Sequence, residues 1–383
     1  MLGGMTDRTD RPPPRPDHRR LAWRIPRAGS LARLRLLEED LPAPAPGEVQ
    51  IDVAAVGLNF ADIFACLGLY SATPAGSFVP GLEAAGTVRR VGDGVTRWRP
   101  GDRVIVLTRF GGYASALNVG EQYLWPLPET WSFEDGAAYP VQALTAWYGL
   151  VPLGDVRRGS VVLVQSAAGG VGLNALQVLR QLGAQPVAVV GRESKRDWLV
   201  REHGLDPSCV VLRGPHFGAA LDSALRHLGA AGFDLVFDAV YGPSFRPAFD
   251  RLAPEGRHLL YGAADFMGDG RRANPLRLAW RWLRRPRLDP LAMISQNRGL
   301  LAFNLIWLWG EAARLPDAMR QTLALIPDPP HIGGAWPFTD AHTALAALQS
   351  GDTTGKLVLR VDDPAVDRLR NGASGDGSAA AAR

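Results

Sequence analysis

The sequence predicts an α/β protein of two domains, a doubly wound parallel sheet joined to a small β-barrel or sandwich. Three observations carry this expectation. From about residue 136, strand-like runs alternate with helix-like runs, the pattern of repeated βα units with a parallel sheet and helices on both faces. Within that region VVLVQSAAGGVG (161–172) sets a Gly-rich turn between a Val-rich strand and the helical run LNALQVLRQL, which is the context a dinucleotide-binding fingerprint requires. Before residue 136 the chain instead reads as short alternating strands broken by Gly and Pro, the spacing of an all-β unit.

Taken in order, residues 1–18 (MLGGMTDRTDRPPPRPDH) are rich in Pro and Arg, and 364–383 end in NGASGDGSAAAAR; both predict disordered tails. Residues 19–135 hold EVQIDVAAV (48–56), GTVRRVG (86–92) and DRVIVL (102–107), the strands of the first domain. Residues 136–310 form the second domain, with strands VVLVQ (161–165), PVAVV (186–190), CVVL (209–212), DLVFDAV (234–240) and RHLLYG (257–262). An insertion at 271–297 precedes a last strand, LLAFNLIW. Residues 311–363 are expected to return to the first domain through two helices and a closing strand, KLVLRV (356–361).

At 383 residues the chain exceeds one ordinary core. With 46% hydrophobic and 21% charged residues its composition is that of a soluble globular protein. The longest apolar stretch, LLAFNLIWLW (300–309), is far short of the roughly 18–20 residues of a membrane span. The N-terminal run has charge and proline but no apolar core for a signal peptide. Only Cys66 and Cys209 occur, so no disulfide framework is built and a cytoplasmic setting is expected. The net charge of +4 is local, because residues 271–287 contain seven Arg and no acid. No recognition motif accompanies that patch, so no nucleic-acid partner is expected.

In the fingerprint, Ala167, Gly169 and Gly172 hold the small-residue positions. They allow the tight turn, the approach of backbone to a pyrophosphate and the packing of helix on strand. Free N–H groups and the helix dipole then favour an anion. The next strand ends at Gly191 with no carboxylate, and Arg192, Lys195 and Arg196 follow. A 2′-phosphate suits these cations, so NADP(H) fits better than NAD(H), although the same charges also suit a solvated helix start and Glu193 stands among them.

The expectation for metal is none. Two cysteines cannot build a four-thiolate zinc site, the seven His show no ligand spacing, and Cys66 reads as a buried apolar residue. Alcohol oxidation leans on a Lewis acid. A quinone or an α,β-unsaturated carbonyl takes hydride at carbon, and ordinary hydrogen-bond donors can hold the enolate.

Five stretches carry a resemblance to a known family: VGLNFADIFACLGLY (56–70), VPGLEAAGTVRRVGDGVTRWRPGDRV (79–104), AAYPVQALTAWYGL (137–150), AAGGVG (167–172) and GKLVL (355–359). With them the chain resembles the medium-chain dehydrogenase/reductase superfamily, in its zinc-free quinone oxidoreductase group. YGAADFMG, the 271–297 insertion and NRGLLAFNLIWL (297–308) add likeness to the vesicle amine transport protein branch. The resemblance implies a GroES-like β-barrel catalytic domain, a Rossmann NADP-binding domain, a quinone or enone substrate, and a homodimer joined through the LLAFNLIW strand. Zinc-dependent relatives have Cys where this chain has Asn59 and His where it has Leu82.

By position, the resemblance implies that Asn59 and Tyr70 line the nicotinamide and substrate cleft and that Thr145 touches the nicotinamide side. It matches Gly169, Gly170 and Val171 to the pyrophosphate turn and Gly191 and Lys195 to the adenosine phosphate, and it sets Phe303 and Lys356 where the family closes over the cofactor. Ser166 stands where many quinone reductases have Ala. Asn59 also reads as a loop Asn bonding its own backbone, and Tyr70 as a barrel-edge aromatic. No residue is a dedicated general acid, which leaves water or a hydroxyl such as that of Tyr70.

Residues 274–286, NPLRLAWRWLRRP, predict a short helix capped by Asn274, with Pro275 at its first position and Pro286 as its stop. Leu276, Ala279, Trp280 and Leu283 share one face and Arg277, Arg281, Arg284 and Arg285 the other. Such a helix lies on a membrane surface, packs its apolar face on its own domain, or borders the substrate cleft ahead of the Phe303 strand. The overall reading is an NADPH-dependent reductase of quinones or enones; the alternative is a membrane-associated, nucleotide-binding or lipid-handling protein with little turnover.

Overall fold

The computed structural model describes residues 19–267 and 270–361. The expected tails at 1–18 and 364–383 lie outside the described residues. Strands β1 (Arg19–Arg24) and β2 (Arg35–Asp40) form an antiparallel ribbon. β3 (Glu48–Gly57) leads into helix α1 (Phe60–Leu67), followed by β4 (Glu83–Val91), β5 (Arg103–Leu107), β6 (Ala116–Gly120) and β7 (Leu124–Pro126). Then come α2 (Phe133–Ala138), α3 (Pro140–Tyr148), β8 (Val161–Gln165), α4 (Gly170–Leu182), β9 (Gln185–Val190) and α5 (Glu193–His203). β10 (Val210–Leu212), α6 (Phe217–His227), β11 (Phe233–Asp238), α7 (Phe245–Phe249) and β12 (Leu252–Leu260) complete the βα series. The insertion carries α8 (Pro275–Leu283) and α9 (Pro290–Gln296) before β13 (Gly299–Ala302). The chain ends in α10 (Leu315–Leu325), β14 (Ile332–Pro337), α11 (Ala341–Ser350) and β15 (Lys356–Arg360).

Two large sheets result. β14-β15-β3-β4-β5-β7, with β6 also on β3, makes the barrel sheet. The second sheet runs β10-β9-β8-β11-β12-β13 with every pairing parallel. That is the dinucleotide-fold order, which reverses direction beside β8. Successive residues of its strands face opposite layers. Val161, Leu163, Val187, Val189 and Val236 pack with α6 and α7, whereas Val162, Val164, Ala188, Val190 and Phe237 pack with α3, α4 and α10. Burial on both faces explains why these strands read as unbroken apolar runs.

The two domains join over a short span. α2 lies on β3, β4 and β15 through Ala55, Ala85 and Ala137, and the next helix, α3, packs on α4 and α10. Small residues let α2 approach the barrel closely: a Cβ on Gly136 would fall 2.5 Å from Leu127 Cδ1 and 3.0 Å from Ala85 Cβ.

Three sequence expectations need correction. The last strand of the parallel sheet stops at Ala302 rather than running through LLAFNLIW, because the Asn304 side chain accepts from the Ile306 amide and starts a helical segment at 305–314. Helix α10 does not return to the barrel with 311–363; its Leu315 and Met319 join the core layer of α3 and α4. The helix at 274–286 does not pack its apolar face on its own domain. Leu276, Trp280 and Leu283 are exposed, and it is Arg281 from the basic face that turns inward to Asp265 at 3.5 Å.

The tight turn after β8 makes a prediction. A Cβ on Gly172 would lie 2.5 Å from Ser166 O and 2.6 Å from Ala167 Cα, both backbone atoms. Gly172→Val should therefore cost about 1–3 kcal/mol in a urea titration. Gly191→Ala, whose nearest neighbour would be Arg213 Nη1 at 3.7 Å, should stay within about 0.5 kcal/mol of the parent. Equal losses for the two variants would contradict the packing described.

Candidate active site

A cleft of about 380 Å³ runs between the domains at the carboxyl ends of β8 and β9, where ligands of open parallel sheets bind. Its floor is the turn after β8. Ser166 takes a left-handed φ of +54°, and the Gly169 amide returns to Ser166 O at 2.9 Å. Helix α4 then begins at Gly170, and amides in its first turn have no partner within the helix. Those N–H groups and the helix dipole make the floor attractive to an anion.

Among the sequence-predicted residues, Gly169, Gly170, Gly191, Arg192, Lys195 and Lys356 line this cleft. Ala167 and Gly172 are buried beneath the turn, and Val171 is half-buried beside it. Arg192 forms an ion pair with Asp352, and Lys195 Nζ donates to Gly351 O at 2.7 Å and Thr353 O at 2.6 Å. Burial lowers the Lys195 pKa.

Thr145, Phe303 and Tyr70 are not among the lining residues. The Thr145 hydroxyl donates to Val141 O at 2.6 Å within its own helix. Phe303 packs edge-on to Tyr148, 5.2 Å between ring centres. The Tyr70 hydroxyl donates to Asn304 Oδ1 at 2.8 Å, and burial pushes its pKa up to about 12, which makes it a weak acid. Tyr70, Phe110, Leu82, Val141 and Ile306 share an apolar cluster contributed by both domains.

Asn59 belongs to a buried polar centre. It precedes α1, and its amide donates to Asp62 Oδ2 at 2.8 Å. Its side chain reaches away from its own loop; Nδ2 donates to Glu83 Oε1 at 2.8 Å, while Oδ1 accepts from Lys356 Nζ at 2.9 Å and Gln142 Nε2 at 3.0 Å. Lys356 Nζ also pairs with Glu83 Oε1, and Glu83 Oε2 accepts from the Val141 amide at 2.8 Å. Glu83 is 0% and Lys356 2% exposed. Burial lowers the Lys356 pKa, against the pull of Glu83. Lys356 thus reaches the cleft as one half of a buried ion pair.

Sequence reasoning missed Glu83, Gln142 and Arg213. Arg213 follows β10, lines the cleft beside Gly191, and donates to Gln165 Oε1 at 3.2 Å while its buried Nε has no partner among the described residues. It also missed Asp238, fully buried, whose Oδ1 accepts from the Val240 amide at 2.7 Å and whose Oδ2 lies 3.0 Å from His258 Nε2. Asp238 thereby shapes the loop after β11 that supplies Val240 to the cleft.

As to metals, burial raises the Cys66 thiol pKa. Asp206, Cys209 and His227 bring ligand atoms within 4.8 Å of one another, at the far end of β10 from Arg213. His227 Nε2 and Asp206 Oδ2 are already paired at 2.7 Å.

Two predictions come from the polar centre. Lys356→Met leaves the Glu83 carboxyl buried without its partner, which should cost about 3–5 kcal/mol in urea titration. Adding Glu83→Gln should recover part of that loss, and simple additivity would contradict the pair. Asp62 is fully buried, and burial pushes its pKa up to about 7. The folded protein then keeps a proton that the unfolded chain releases above about pH 4. Stability from this group is full below that pH and falls as pH rises to about 7, by on the order of 2–4 kcal/mol. Asp62→Asn should remove that fall, and an unchanged slope would contradict it.

Comparison with known proteins agrees with this architecture. Residues 45–137 match the alcohol dehydrogenase GroES-like domain, and residues 217–359 match the zinc-binding dehydrogenase family. The human synaptic vesicle membrane protein VAT-1 homolog is 33% identical over 321 residues, 83% of this chain and 80% of that protein. The quinone oxidoreductase of Thermus thermophilus, solved alone and with NADPH, is 30% identical with a TM-score of 0.69, covering 89% of this chain and 99% of that one. The CurK enoyl reductase is 25% identical with a TM-score of 0.74 over the same shares. With its barrel, its parallel sheet and the glycine turn between them, the chain belongs to the medium-chain dehydrogenase/reductase superfamily, as a member of the VAT-1 and quinone oxidoreductase-like group.

Proposed function

We propose that the protein is an NADPH-dependent oxidoreductase that passes hydride to a quinone or an α,β-unsaturated carbonyl without zinc. The observation that carries this is the cleft itself, with an anion-binding helix start at one end and Arg192, Lys195 and Arg213 around Gly191 at the other. Strand β9 ends at Val190 and presents no carboxylate to a ribose 2′-hydroxyl, and cations there favour the 2′-phosphate. A quinone oxidoreductase solved with NADPH and a relative named as an enoyl reductase support the same reading.

NADPH, when bound, supplies the hydride. The chain's residues do the rest. Gly169 and Gly170 let the pyrophosphate approach the turn, and the first amides of α4 neutralise it. Lys356 presents its ammonium at the cleft wall, where charge develops on a reduced carbonyl oxygen, and Asn59 positions it by accepting one of its N–H groups. The apolar cluster of Leu82, Tyr70 and Ile306 excludes water from one side. In this reading zinc independence rests on Asn59, bonded to Lys356 and Glu83, and on buried Leu82, in the places of the zinc ligands of related enzymes. Thr145, Phe303 and Tyr70 act by shaping this cleft. Localisation is cytoplasmic and the assembly a homodimer through β13, the edge strand of the parallel sheet.

NADPH oxidation measured against a panel of quinones and enals tests the proposal. Turnover with at least one class is expected, and Lys195→Ala should raise the KM for NADPH more than about tenfold while moving that for NADH little. Binding of NADPH without any turnover, or tighter binding of NADH, would contradict it.

A second reading, peripheral contact with an anionic membrane, is favoured by one observation. Leu276, Trp280, Trp282 and Leu283 on α8 and Leu291 and Ile294 on α9 are exposed beside the seven-Arg patch, a composition suited to a membrane interface. Among the described residues no helix is long and apolar enough to cross a membrane. Sedimentation with anionic vesicles should deplete the parent protein from solution but not the Leu276→Glu, Trp280→Glu variant. Equal behaviour would dismiss membrane contact through this face.

A further inference from the structure

Residues 351–355, between α11 and β15 of the barrel, lie along the mouth of the cleft and touch the nucleotide domain at Lys195 and Ala168. We propose that this segment is a strap whose Asp352 competes with the coenzyme's 2′-phosphate for Arg192, so that Asp352 sets how far the protein discriminates NADPH from NADH. The proposal rests on the NADPH reading above.

The strap is fastened in three places of different strength. At its far end the Gly355 amide donates to Ala168 O at 2.8 Å, on the pyrophosphate turn itself. Gly355 has φ +61°, and a Cβ there would lie 2.3 Å from the His331 carbonyl oxygen, so this end is fixed backbone against backbone. In the middle, Lys195 Nζ uses two of its three N–H groups on Gly351 O and Thr353 O, which leaves one for a further acceptor. The third fastening is the Arg192–Asp352 ion pair, whose side chains are 56% and 54% exposed. A pair so exposed contributes little to stability and is the fastening that can yield.

A 2′-phosphate seated beside Gly191 meets Arg192, Lys195 and Arg213, whose Nη1 lies 3.7 Å from where a Gly191 Cβ would stand. It also meets the Asp352 carboxylate, a like charge, already bonded to the guanidinium the phosphate needs. A dianion competes well for Arg, so the phosphate takes Arg192 and Asp352 swings to solvent. The apparent affinity for NADPH is then reduced by the fraction of protein in which the pair is closed. NADH, which lacks the phosphate, leaves the pair in place and feels no competition. The strap thus moderates the coenzyme preference that the cations alone would give.

The test is Asp352→Asn in the full chain, with NADPH and NADH titrated by coenzyme fluorescence. The proposal expects the Kd for NADPH to fall by about three- to tenfold, with NADH changing less than about twofold. The gain should shrink in about 1 M salt, where exposed charges are screened. Asp155→Asn, which removes an exposed pair with Arg157 away from the cleft, should change neither affinity. If the parent prefers NADPH and Asp352→Asn leaves that preference unmoved, or shifts both coenzymes equally, the strap proposal is overturned alone. If the parent binds NADH as tightly as NADPH, the NADPH reading falls and the strap with it.

Discussion

Lys356 carries an ammonium to a place almost closed to water, and Glu83, with no exposure at all, is the charge that makes this tolerable. Taking both groups out of water costs several kcal/mol each. The cost is offset only where every remaining donor and acceptor finds a partner, and here the partners come from separate parts of the chain. Glu83 stands on β4, Lys356 on β15, Asn59 ahead of α1, and Val141 and Gln142 on α3 of the other domain. One buried pair therefore ties barrel to nucleotide domain beside the cleft.

The rest of the site is arranged around that tie. The parallel sheet delivers the turn after β8 and the loops after β9, β10 and β11 to one edge, and the barrel contributes the wall and the 351–355 segment opposite. Because β15 carries Lys356 and follows that segment directly, the buried pair also fixes where the segment lies across the cleft. Asp62 adds a buried carboxyl to the same neighbourhood, bonded by the Asn59 amide and by the Tyr113 hydroxyl at 3.0 Å. Burial, more than any neighbour, raises its pKa.

Much of this was legible in the residues. The period-2 and βα patterns give both sheets, since buried strands must be apolar on the faces they cover. The turn at 166–172 is legible because only small residues fit where helix and strand backbones meet. The polar centre is not, because its members are distant in sequence and each looks ordinary alone. Glu83 within LEAAGTV and Lys356 within GKLVLRV were the available signal: a lone charge inside a buried strand needs a partner of opposite sign. Arg213 was hidden because a cation after a strand usually faces solvent. The end of the LLAFNLIW strand was misjudged because apolar content does not separate strand from helix, and the Asn304 side chain decides it.

We propose that a phosphorylated nicotinamide coenzyme lies in the interdomain cleft, against the glycine turn and under the 351–355 segment. Hydrogen–deuterium exchange with and without saturating NADPH tests it most directly. The account predicts added protection at 166–172, 191–195 and 351–356, with 274–296 unchanged. Protection confined to other regions, or none under conditions where binding is saturated, would contradict it.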